Sequence, residues 1–120
     1  MRAAEIETFC LTLPGATLSV QRGWGDERVY KVGGKMFAAM SALKTRPRVV
    51  SFKTAPDSFA ILTKVKDVIP APYAAKHHWV QLTQLDALGT KDLKAYLARA
   101  HAIVAGGLTR KKRAELGLDV

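Results

Sequence analysis

Apolar positions near the start of the chain repeat with helical spacing. Ile6, Phe9, Cys10 and Leu13 fall at i, i+3, i+4 and i+7, on one helical face. Pro14-Gly15 ends that helix, because proline disfavours helical geometry in the residue before it and glycine turns the chain. The period then changes to two. Residues 17–22 read as a strand that stops at Gly23-Trp24-Gly25-Asp26. Residues 28–32 alternate, with Tyr30 and Val32 on one face and Val29 and Lys31 on the other. Gly33-Gly34 predicts a two-residue hairpin turn, and residues 35–42 form the return strand. A polar connection through Lys44 and Arg46 leads to a strand over 48–53, with Val50 and Phe52 on one face.

A second helix begins near Pro56, where proline is tolerated and Asp57 favours the positive helix end. Its stripe is Phe59, Leu62 and Val65. Residues 67–73 read as a loop, with Pro70 and Pro72 opposing regular structure. Residues 77–83 read as a further strand. Thr90 caps a long helix whose buried stripe is Leu93, Tyr96, Leu97, Ala100 and Ile103 or Val104, and Gly106-Gly107 ends it. The order helix, strands, helix, strand, helix implies an α+β fold in two layers. An antiparallel sheet carries three helices on one face and leaves the other at least partly free. The domain spans residues 1–108, and residues 109–120 form a basic C-terminal tail.

At 120 residues, 48% hydrophobic and 24% charged, the chain has the composition of one ordinary globular domain. Cys10 is its single cysteine, so no internal disulfide forms and a reducing compartment, most simply the cytoplasm, is expected. No secretory leader and no apolar run of membrane-spanning length is visible. A monomer is expected from the size alone.

Charge changes the picture most. The net charge is +9, and it is uneven: residues 1–27 carry −2, residues 28–76 carry +8 and residues 77–120 carry +3. Such a field draws polyanions. Lys31, Lys35, Lys44, Arg46, Arg48 and Lys53 belong to neighbouring strands and their connections, where phosphate contacts require only cations held in place by the fold. Arg110, Lys111, Lys112 and Arg113 add a second cluster. Each of these residues reads equally well as an ordinary solvated position.

Catalytic chemistry finds little support. His77, His78, His101 and Cys10 lack the clustered spacing of a metal site, and neighbouring strand residues 77 and 78 point to opposite faces. No nucleophile-and-base motif stands out. Gly33-Gly34-Lys35 lacks the rest of a phosphate loop and joins two strands. No cofactor or metal is expected, and the chain reads as a non-enzyme.

Leu13-Pro14-Gly15-Ala16, Trp24-Gly25, residues 30–38 (YKVGGKMFA), residues 51–56 (SFKTAP) and residues 76–80 (KHHWV) occur in that order. Together they resemble the MmcQ/YjbR family, over about residues 5 to 110. The resemblance implies a double-wing α+β fold, similar in shape to secretion chaperones, and a DNA-binding label. It carries no catalytic residues. Its shared basic positions are Lys31, Lys35, Lys53 and Lys76. Three functions stay open on this reading: phosphate-backbone binding of DNA, a protein-interaction or chaperone-like module using the free sheet face, and a small-ligand pocket at Trp24, Lys76, His78 and Trp79.

Overall fold

In the computed structural model, residues 1–22, 26–41, 48–72 and 74–118 are described. Helix α1 (Ala3–Thr12) leads into strands β1 (Ala16–Gln21), β2 (Glu27–Val32), β3 (Lys35–Met40) and β4 (Val50–Lys53). Helix α2 (Pro56–Leu62), strand β5 (Val68–Pro70), a 3-10 turn over Ala75–His77 and strand β6 (Trp79–Leu82) follow. Helices α3 (Thr90–Gly106) and α4 (Arg110–Glu115) complete the fold. The six strands form one antiparallel sheet in the order β1-β2-β3-β4-β6-β5.

One core joins sheet and helices. Tyr30, Phe37, Phe52, Val80 and Leu82 pack with Ile6 and Cys10 of α1, Leu62 of α2, and Leu93, Leu97 and Ala100 of α3. The α+β architecture with helices on one sheet face is therefore as the periodicity implies. The helical spacing of Ile6, Phe9, Cys10 and Leu13 puts Ile6 and Cys10 at zero exposure. Burial also pushes the Cys10 thiol pKa up to about 12, which leaves it a packing residue. Gly33 and Gly34 have φ of 60° and 80°, the left-handed pair that a two-residue hairpin turn needs.

Five details differ from the sequence reading. Helix α2 ends at Leu62, so Val65 of its expected stripe lies beyond it. Residues 67–73 are not all loop, because Val68–Pro70 is a strand. It lies at the sheet edge, where proline forfeits no ladder bond. The last strand begins at Trp79 rather than residue 77, since Ala75–His77 turn as 3-10 and His78 is left-handed at φ 62°. Gly89, not Thr90, is the N-cap of α3, and it supplies no side-chain cap. Finally, residues 110–115 of the expected tail are the helix α4. Thr109 caps it by accepting from the Lys112 amide, and Leu108 and Leu118 join the core on either side.

A bulge sits between β2 and β3. Tyr30 pairs with Ala38 and Lys31 with Met36, so Phe37 is the extra residue. Phe37 and the next residue, Ala38, both enter the helix-side core. The Phe37 ring meets His101 of α3 edge-on at 5.3 Å. His101 is buried, and its Nε2 lies 2.6 Å from the carbonyl oxygen of Pro14. The side chain thereby ties α3 to the end of α1 across 87 residues of sequence.

Candidate nucleic-acid interface and the adjoining cleft

The strand pairings divide the expected cations between two ends of the sheet. Val32 pairs with Lys35, and Lys53 pairs with Trp79, so Lys31, Lys35 and Lys53 belong to the end marked by the β2–β3 turn. Lys76 and His77 lie in the turn just before β6, at the same end. Arg48 precedes β4, at the opposite end. Trp24, Lys44 and Arg46 lie outside the described residues.

The turn end also holds the start of α4. A Cβ on Gly33 would come within 2.6 Å of Leu108, so the hairpin turn and the chain entering α4 are in direct contact. Arg110, Lys111 and Lys112 then extend the basic surface from that point and are exposed, as are Lys35 and Lys76. Lys31 is half-buried. None of these six residues makes an ion pair among the described residues. Two other cations at this end have structural work. Lys53 Nζ donates to the His77 carbonyl at 2.5 Å, pinning the 3-10 turn to β4. Arg113 Nη1 donates to the Gly106 carbonyl at 3.2 Å, at the C-terminus of α3. A helix C-terminus favours such a cation whatever else it does.

The opposite end spends its charge internally. Arg28 Nη2 donates to Glu7 Oε2 at 3.0 Å while its Nε donates to Oε1, and the Tyr30 hydroxyl donates to the same Oε1 at 2.9 Å. The guanidinium of Arg28, with help from the Tyr30 hydroxyl, holds the Glu7 carboxyl below the usual carboxylate range. The same carboxylate raises the pKa of Arg28. Burial first, and then Glu7, raise that of Tyr30. This cluster was not legible in the sequence: it joins α1 to β2 across residues whose spacing forms no motif.

On the sheet face away from the helices lies a cleft of about 620 Å³. Val29, Met36, Ala39, Ala71, Pro72 and Trp79 give it apolar walls, and Glu27, Ser51 and Gln81 are its polar members. Burial raises the pKa of the Glu27 carboxyl. At Met36, Ala74 and Trp79 the cleft adjoins a second basin of about 540 Å³ that includes Lys35, Lys53 and His77. Trp79 thus lines a cavity, whereas His78 turns elsewhere and packs edge-on against Phe59 of α2 at 5.6 Å. Structure therefore separates the adjacent pair. The open face is not a broad apolar patch either: the exposed Met36 and Ile69 lie on β3 and β5, with Ser51 and Gln81 on the strands between them.

Among the described residues, no three His, Cys, Asp or Glu side chains gather as a metal-ligand set, and no helix is long and apolar enough to cross a membrane.

Comparison with known proteins gives consistent findings. The YjbR family model matches residues 11–103, a stretch that ends before α4. The protein "Uncharacterized protein YjbR" of Escherichia coli strain K12 is 34% identical over 80 residues, which is 66% of this chain and 66% of that protein. Its counterpart in Escherichia coli O157:H7 matches to the same extent. The chain thus spans just under two thirds of the length of these relatives. A crystal structure of a Deinococcus radiodurans protein with a DUF419 domain superposes with a TM-score of 0.84. It covers 97% of this chain and 88% of that one at 24% identity, a likeness of fold.

Proposed function

The chain belongs to the YjbR family, and from that premise we propose that it is a non-enzymatic DNA-binding protein that grips the phosphate backbone with the turn end of its sheet. One observation carries this reading: Lys31, Lys35, Lys76, Arg110, Lys111 and Lys112, from β2, β3, the turn before β6 and α4, lie at one end of the sheet with no carboxylate partner among the described residues. Cations spread over four elements and held by a common core are suited to track a line of phosphates, and they require no recognition helix. Binding of this kind is weakly sequence-specific and strongly salt-dependent.

The test is a fluorescence-anisotropy titration of labelled duplex DNA, repeated between about 50 and about 200 mM salt. Four or five neutralised phosphates give a log–log slope near about −4. The triple variant Lys35→Glu/Lys76→Glu/Lys111→Glu is expected to weaken binding on the order of 100-fold at ~0.1 M salt and to flatten the slope. Absence of binding at the lowest salt, or an unchanged affinity in the variant, would overturn the assignment.

A further inference from the structure

Phosphate contacts leave the open-face cleft unused. A row of paired residues crosses that face: Val29 on β2, Ala39 on β3, Ser51 on β4 and Gln81 on β6. With strands about 4.8 Å apart, the row is about 14 Å long. Its two central residues are the small ones. Ala39 and Ser51 make a floor, with Glu27 and Val29 on one bank and Gln81, Trp79 and the 71–72 segment on the other. The resulting 620 Å³ is within the range, about 300–1,000 Å³, of small-molecule sites.

The walls specify what fits. The exposed Met36 and the edge of Trp79 suit an uncharged, flat body. Ser51 Oγ donates to Gln81 Oε1 at 3.4 Å, and the Gln81 amide hydrogens make no hydrogen bond among the described residues. The Glu27 carboxyl also makes no hydrogen bond among the described residues. A hydrocarbon guest would leave both groups unmet, a penalty that a guest with donors and acceptors on its edge avoids. Nucleobases have such edges. Beyond Met36 and Trp79 the adjoining basin supplies Lys35, Lys53 and His77, positions suited to a phosphate.

We propose that this cleft receives one nucleotide, its base lying against Met36 and Trp79 between Glu27 and Gln81, and its phosphate at Lys35, Lys53 and His77. The inference deepens the DNA reading, with which it shares Lys35. It assigns the cleft to an unpaired nucleotide, either free or within a single strand, because a base inside a duplex must first be extruded at a cost of a few kcal/mol.

The experiment follows backbone amide NMR signals of the intact chain during titration with adenosine monophosphate, inorganic phosphate, a single-stranded oligonucleotide and the matching duplex. Shifts at Val29, Ala39, Ser51 and Gln81 with the mononucleotide identify a free-nucleotide site. The same shifts with the single strand alone identify a strand-reading site. Ala39→Leu fills the floor from the side away from the helices, and it is expected to weaken either interaction at least about tenfold, from lost space and contact. Gln81→Leu serves as a second variant if the first does not fold. Equal responses to phosphate and mononucleotide, confined to residues 35, 53 and 77, would overturn the proposal, as would a cleft silent to all four probes. Duplex binding with a silent cleft sinks the nucleotide site and spares the DNA reading. A cleft that fills with mononucleotide while no DNA binds does the reverse.

Discussion

Arg28 and Lys31 stand near opposite ends of β2, and the protein uses their charges in opposite ways. Arg28 is held by both oxygens of Glu7, which also receives the Tyr30 hydroxyl, so its charge closes α1 onto the sheet. Lys31 and its neighbours at the turn end meet no carboxylate among the described residues. A neutralised cation contributes to the folded state and has little left to offer a ligand. An unneutralised one adds little stability, repels its neighbours, and retains its full attraction for an anion. The two ends of one strand therefore separate holding from binding.

This contrast can be broken by mutation. The largest stability effect is expected at the braced end. Glu7→Ala removes the acceptor of Arg28 and Tyr30 together and leaves a deeply buried tyrosine hydroxyl without that partner, at a cost of about 1–3 kcal/mol in a urea titration. A cost indistinguishable from zero would mean that the cluster is decorative. Acid titration sharpens the same point. The folded Glu7 pKa is depressed, chiefly by Arg28, so the unfolded chain takes up this proton first as pH falls below about 4.3. Stability from the cluster is complete above that value and is lost as pH falls through the folded pKa. The melting temperature should drop on that acid limb, and Glu7→Gln should flatten part of the drop. The smallest effect belongs to the turn end. Lys35→Glu/Lys76→Glu, two exposed sites, should change unfolding free energy by no more than about 0.5 kcal/mol. A larger loss would show that these lysines help to hold the fold.

Local pattern reveals much of this fold and little of its site. The face of α1, the alternation of β2 and the Gly33-Gly34 turn depend on near neighbours, and near neighbours are visible along a chain. The edge strand Val68–Pro70 was obscured because three residues ending in proline resemble a loop until β6 pairs with them. Helix α4 was obscured by composition: RKKRAE has no apolar stripe, and its anchors, Leu108 and Leu118, lie outside it. His101 occupies a position one helical turn after Leu97 on the buried face of α3, where the partner that makes a histidine acceptable, the Pro14 carbonyl, is 87 residues away. The cleft is a property of rows across four strands. Ala39 and Ser51 say nothing about a groove until pairing places them side by side.

The bulge at Phe37 has a further consequence, for parity. A strand is a two-state code in which each residue is assigned to one face or the other, and inserting one residue inverts every assignment beyond it. By admitting both Phe37 and Ala38 to the core, β3 inverts the code for the two residues before them. Met36, paired with Lys31, comes to the cleft side, and Lys35, paired with Val32, comes to the helix side near the end of α3. Were Phe37 instead paired with Lys31 in a regular ladder, Met36 and Lys35 would exchange, setting a lysine in the apolar groove and a methionine over the helix terminus. One surplus residue thus sorts grease from charge at the mouth of the cleft.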